Sequence, residues 1–220
     1  MSVFGNFLKV SAVAVVLSAC VANQSATTQN SQPAPVVTRV AVPFDPKTIK
    51  QTVNPEEITL YQGGQQSAMH YLVPQSRTAA RALGFGGMAQ YAVLRGKNAM
   101  LRVSDKQPVF LFAAPDHAQP DGYFAIANFA VRENGTREVI IGGGFMSYST
   151  GIHPDRLVPC SIEKVSDQSM APKGFSLYVA TVNAPLPAGE YAVVFYSSQV
   201  RSAGFFSQTL DSYFDFGVDG

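Results

Sequence analysis

The chain contains no tryptophan, only two cysteines (Cys20 and Cys160), and few charges, with 16 basic and 15 acidic residues among 220. Each shortage excludes something. Two cysteines cannot build a multi-bridge disulfide framework or a cysteine-rich zinc site. A formal charge of +1, with no block of basic residues, gives no electrostatic footprint for nucleic acid. The chain shows neither an internal repeat nor a heptad pattern. Its N-terminal apolar run is about ten residues, roughly half of what spans a bilayer as a helix, so a transmembrane anchor is not expected. What is abundant is aromatic: 15 Phe and 9 Tyr. That balance suits a well-packed β protein better than a charged helical bundle.

Residues 1–20 have the layout of an export signal. A short n-region carrying Lys9 precedes the uncharged apolar segment Val10–Leu17, and small residues lead to a cleavage point. The segment closes on Leu17-Ser18-Ala19-Cys20, which resembles the lipobox of bacterial lipoproteins. The resemblance implies that Cys20 is acylated and becomes the mature N-terminus. Each buried methylene adds about 0.8 kcal/mol of membrane affinity, so the several chains implied would hold the protein firmly. Within that family, Asp directly after the cysteine tends to retain the protein in the inner membrane. Val21 and Ala22 stand there instead, which favours an outer membrane. With Cys20 acylated, Cys160 has no intrachain partner and is expected to be a small buried hydrophobe.

The following segment, Asn23 to Pro35, has no charge, no aromatic and no aliphatic residue larger than alanine. It cannot bury enough apolar surface to offset the entropy of ordering and reads as a disordered tether. The expected organisation is a signal at 1–19, a lipidated cysteine and tether at 20–42, an N-terminal extension or subdomain at 43–87, and a β domain at 88–220. About 175–180 residues remain to fold, enough for one sizeable core.

From residue 88 onward, short apolar segments alternate with Gly, Pro, Asn or Asp. Strands are expected at Gln90–Leu94, Met100–Val103, Val109–Ala113, Tyr123–Glu133, Thr136–Gly142, Ser161–Val165, Phe175–Val182, Tyr191–Ser197 and Tyr213–Val218. Asn134-Gly135 predicts a hairpin with a two-residue turn. In the N-terminal extension, Ile58–Tyr61 and Met69–Val73 suit strands and Thr78–Leu83 a short helix, making that part a small mixed unit.

The spacing Leu186-x-x-Gly189-x-Tyr191 resembles the corner of immunoglobulin-like sandwiches. There a tyrosine opening a late strand sends its hydroxyl back to the preceding backbone. The chain departs from antibody-type domains in having no inter-sheet cysteine pair and no tryptophan. The expected fold is an all-β, immunoglobulin-like antiparallel β-sandwich with a small mixed N-terminal extension.

No catalytic constellation, metal motif or cofactor fingerprint is complete. His117 lies between Asp116 and Asp121, and His153 lies two residues before Asp155. Convergence of these loops would give a metal site or an acid–base pair, but the spacing matches no metal motif and both segments read as proline turns. The stretch from Gly142 to Gly151 has neither the G-x-S-x-G order of a nucleophile elbow nor the Gly-Lys-Ser/Thr of a phosphate loop. It is a connection whose glycines relieve backbone crowding, or a contact loop presenting Phe145, Met146 and Tyr148 to a partner.

The leading expectation is a non-enzymatic, lipid-anchored cell-envelope protein with no cofactor, which binds other envelope or secretion-system proteins. The alternative is a membrane-anchored hydrolase or metal-dependent enzyme using His117, His153 and nearby acids. A binding module should offer an apolar patch or an available sheet edge; an enzyme needs its side chains converging in one cleft.

Overall fold

The computed structural model describes residues 52–62, 65–80, 87–144, 149–196, 200–203, 206–209 and 211–220. The lipobox with Cys20, the tether, and the three loop residues Phe145, Met146 and Tyr148 lie outside the described residues.

The regular structure of the described residues is almost entirely strand. In order it forms β1 (Ile58–Gln62), β2 (Gln65–Met69), β3 (Gln75–Ala80), β4 (Met88–Arg95), β5 (Arg102–Val103) and β6 (Val109–Pro115). A single helical turn, α1 (Pro120–Tyr123), leads into β7 (Phe124–Val131) and β8 (Thr136–Gly144). The two-residue strands β9 (Ser149–Thr150) and β10 (Leu157–Val158) follow, separated by a 3-10 turn at Pro154–Arg156. Then come β11 (Cys160–Lys164), β12 (Phe175–Val182), β13 (Gly189–Phe195), β14 (Val200–Ala203), β15 (Phe206–Thr209) and β16 (Ser212–Val218).

Two sheets pack face to face as an antiparallel sandwich. The first runs β11-β12-β6-β1-β2. The second runs β3-β4-β8-β7-β13-β16-β5, with β9 added on β8 and β10 on β7. Among the described residues, strands β14 and β15 pair only with each other. Every ladder is antiparallel except the short β16–β5 pair.

Alternation along the strands sorts their side chains into three apolar layers. Even-numbered residues of β6 (Phe110, Phe112, Ala114) meet Phe124 and Ile126 of β7, Tyr191, Val193 and Phe195 of β13, and Phe214 and Phe216 of β16. This central layer is aromatic, with Phe112 stacked on Phe124 at 4.5 Å and Phe195 set edge-on to Phe214 at 5.3 Å. Such offset and edge geometries suit ring quadrupoles and add about 0.5–1.5 kcal/mol per pair to area burial. The odd residues of β6 (Val109, Leu111, Ala113) face a second layer with Val53, Val165, Leu177 and Val179. On the far side of the second sheet, Ala127, Phe129, Ala192, Val194 and Tyr213 meet Ala92, Leu94 and Val139. Strands β4 and β8 therefore cover the outer face of β7, β13 and β16. This explains why β6 and β13 are apolar at nearly every position instead of alternating: both of their faces are buried.

Two local expectations are corrected. Thr78–Leu83 does not begin a helix, because Thr78, Ala79 and Ala80 end strand β3, which pairs with β4 along its whole length. Six residues are too few to nucleate a helix alone, and an available neighbouring edge decides the conformation. The hairpin at Asn134-Gly135 is present, but its loop is Glu133-Asn134-Gly135. The Arg132 amide donates to the Thr136 carbonyl, and the Gly135 amide donates to the Arg132 carbonyl. Gly135 takes the one left-handed position at φ +84°, as in a three-residue loop ending in a glycine bulge. The Asn134 carboxamide oxygen closes it by accepting from the Thr136 amide and hydroxyl.

The segment between residues 58 and 80 belongs to both sheets. Strands β1 and β2 extend the first sheet beyond β6, and β3 forms one border of the second.

Candidate binding edge and groove

Strand β3 (Gln75-Ser76-Arg77-Thr78-Ala79-Ala80) lies at the border of the second sheet, and among the described residues no strand pairs with its outer side. Its side chains are mostly exposed, and it contains neither lysine nor proline. Those residues are the usual means by which natural edges resist pairing with another chain. By contrast β11, a border of the first sheet, carries Glu163 and Lys164, and β5, the other border of the second, is two residues long. Strand β2 likewise contains neither lysine nor proline, and it lacks even the single charge, Arg77, that β3 carries.

Beside β3 lies an open groove of about 870 Å³, lined by Gln75, Ser76 and Arg77 of β3, Val93 of β4, Thr136 and Glu138 of β8, and the β7–β8 turn. Its chemistry centres on Glu138, buried at 3% side-chain exposure. Arg77 reaches its Oε2 at 2.7 Å from one side and Arg132 at 3.1 Å from the other. Both guanidinium groups are half-exposed. Arg77 also lies over the Tyr91 ring, 4.8 Å from its centroid, a cation–π contact. Alternation along β8 sets this up: Glu138 faces the groove while its neighbours Arg137 and Val139 face the interior.

Arg137 belongs to a second charged cluster. Its side chain, 3% exposed, donates through Nη1 to Asp215 at 2.7 Å, through Nε to the Gly96 carbonyl and through Nη2 to the Arg95 carbonyl. Nη1 also lies 3.5 Å from Glu190. The Glu190 carboxylate accepts from Arg102 at 2.6 Å and from the Ala99 amide at 2.6 Å. Arg102 extends the chain to Asp219. These bonds, Glu190 first and Asp219 second, raise the Arg102 pKa above its ordinary value. The cluster ties the β4–β5 loop to β8, β13 and β16. No buried side-chain nitrogen or oxygen among the described residues lacks a partner. A cluster so fully paired holds these elements together.

The sequence-predicted histidine and cysteine positions are placed as follows. His117 is exposed in the connection from β6 to α1, beside Asp116, whose carboxylate accepts from the Ser176 hydroxyl at 2.7 Å. His153 caps the 3-10 turn, with Nδ1 accepting from the Asp155 amide at 3.4 Å. A small groove of about 280 Å³ borders His153 and includes Ile140, Gly142, Gly143 and Thr150, but neither His117 nor Asp116. Among the described residues no group of three or more His, Cys, Asp and Glu could hold a metal ion. Cys160 is half-buried in β11, and burial, followed by the charge of Asp121, pushes its thiol up to about 11. Gly142 to Gly144 are part of β8, and a Cβ on Gly143 would sit 2.6 Å from the Met88 carbonyl oxygen. There the glycine permits close approach of two backbones.

Arg77, Arg132 and Glu138 were not legible as a group in sequence, because they are 61 and 6 residues apart. One signal was available: Arg137-Glu138 places two adjacent charges inside an apolar strand, so both faces of β8 must find partners. Compared with known proteins, the chain matches no family model, no curated protein and no solved structure.

Proposed function

We propose that this protein is a lipid-anchored cell-envelope binding module that captures an extended segment of another envelope or secretion-system protein along β3. Acylated Cys20 holds it at the membrane, outer where the cell has one. Residues 20–42 form the tether, and the sandwich presents the edge. The observation that carries the docking surface is the outer side of β3, open among the described residues and without lysine or proline. Strand addition uses the main-chain donors and acceptors of such an edge for affinity and alternate side chains for specificity. The layer beneath keeps the edge rigid, since β4 and β8 rest on the core of β7, β13 and β16. A rigid edge lowers the entropic cost of binding.

Site-specific photocrosslinking in cells tests this reading. A photoreactive residue at Thr78 is expected to give a discrete adduct, and one at Glu163 on β11 none. Of the adjacent positions Thr78 and Ala79, one directs its N–H outward, so one of Thr78→Pro and Ala79→Pro should keep the fold. That variant, probed from Gln75, should lose the adduct. Equal adducts from both edges, or an adduct indifferent to both prolines, would contradict the proposal.

A further inference from the structure

We infer that Arg77 and Arg132, joined through Glu138, form a carboxylate-reading site that takes an acidic side chain from the protein segment docked along β3. This rests on β3 being the docking edge, since Gln75, Ser76 and Arg77 belong to both the edge and the groove wall. Two guanidinium groups converge on a single carboxylate oxygen, Glu138 Oε2. Arg132 commits its Nε–H to that contact, and its two terminal nitrogens are not used by Glu138. Arg77 donates one Nη2 hydrogen and lies over the Tyr91 ring. Planar donor forks match a carboxylate, and the existing ion pairs to Glu138 bring the two together before binding, which lowers its entropic cost.

The groove does not act by long-range attraction. Arg77 and Arg132 are balanced by Glu138 in the floor and Glu133 on the rim, so the lining is formally neutral. Recognition therefore depends on short-range donors, and the two native carboxylates act as competitors of the incoming one. This gives a sign that a purely structural ion cluster would not produce: removing a native carboxylate strengthens binding of an acidic segment.

Fluorescence anisotropy with the full chain in detergent measures this. The probes are a labelled heptapeptide of alternating threonine and glutamate and its threonine–glutamine counterpart. The glutamate peptide is expected to bind roughly tenfold more tightly, the range of a charge-assisted hydrogen bond. Arg132→Gln should abolish that preference. Glu138→Gln should tighten the glutamate peptide and leave the glutamine peptide unchanged; Glu133→Gln, on the exposed rim, should act in the same direction without touching a buried group. Whichever of the Thr78→Pro and Ala79→Pro variants stays folded should weaken both peptides. Equal affinity for the two peptides, with both still sensitive to the β3 proline, would overturn the carboxylate site and leave the edge standing. An acidic preference that ignores the β3 proline would overturn the edge, and with it the placement of the acidic residue in a docked strand. Failure to bind either peptide would overturn both.

Discussion

The Tyr191 hydroxyl donates a 2.9 Å hydrogen bond to the carbonyl of Pro187, four residues upstream in the turn that enters β13. The ring is buried, stacked on Phe216 at 5.5 Å, and burial raises the phenol pKa, so the hydroxyl stays a donor. The turn is thereby tied to the central aromatic layer. Tyr191→Phe keeps the stacking and removes the hydroxyl, which bonds the Pro187 carbonyl and the Asn128 side chain. It should cost about 1–3 kcal/mol, the penalty for an unpaired carbonyl, with the fold retained. Urea unfolding of the full chain measures it; a change below a few tenths of a kcal/mol would mean that the bond contributes nothing.

The corner was legible because it is local: six residues carry the pattern, and its partner lies within them. The strand positions were legible for the same reason, apolar runs between turn residues. Strands β2 and β3 were missed, or misread as helix in the case of Thr78–Ala80, because Gln65–Met69 and Gln75–Ala80 have no apolar pattern and take their conformation from the neighbours they pair with. The charged clusters were illegible because their members come from different strands. Arg137 meets Asp215 across 78 residues, and Arg102 meets Glu190 across 88. Periodicity says that Arg137 points inward; only topology says what it meets.

Gly217 illustrates the point. It pairs with Arg102 in the parallel β16–β5 ladder, and a Cβ there would sit 1.7 Å from Arg102 Nη1. The glycine is needed for space, since the guanidinium crosses the bare backbone on its way to Glu190. Gly217→Ala should push the end of the Arg102 side chain aside and leave the buried Glu190 carboxylate with a weakened partner, at a cost of about 1–3 kcal/mol. The double variant Gly217→Ala, Arg102→Ala should lose less than the sum of the single changes. Thermal or chemical unfolding of the three variants reports the coupling; strict additivity would show that the two residues act independently.

Cys160 should be a slow nucleophile at neutral pH. Its thiol is raised to about 11 chiefly by burial, and the thiolate is the reactive form. The raised value means that the folded protein favours the protonated thiol, so reactivity appears as pH climbs toward the folded pKa and not around the ordinary range near 8.5. Iodoacetamide modification of the folded Cys20→Ser chain, followed by mass spectrometry from pH 7 upward, should show a rate still rising past pH 10. A plateau by pH 9 would contradict the burial seen here.

The anchor at Cys20 is the premise on which the envelope reading depends, and the mass of the mature N-terminus tests it most directly. Trypsin cleaves after Arg39, so the chain purified from membranes should yield a peptide that begins at Cys20, ends at Arg39 and carries the mass of attached acyl chains. Cys20→Ala should abolish that species and release the protein from the membrane fraction. An unmodified Cys20 inside a longer peptide, or a free amine on a residue after it, would contradict the account.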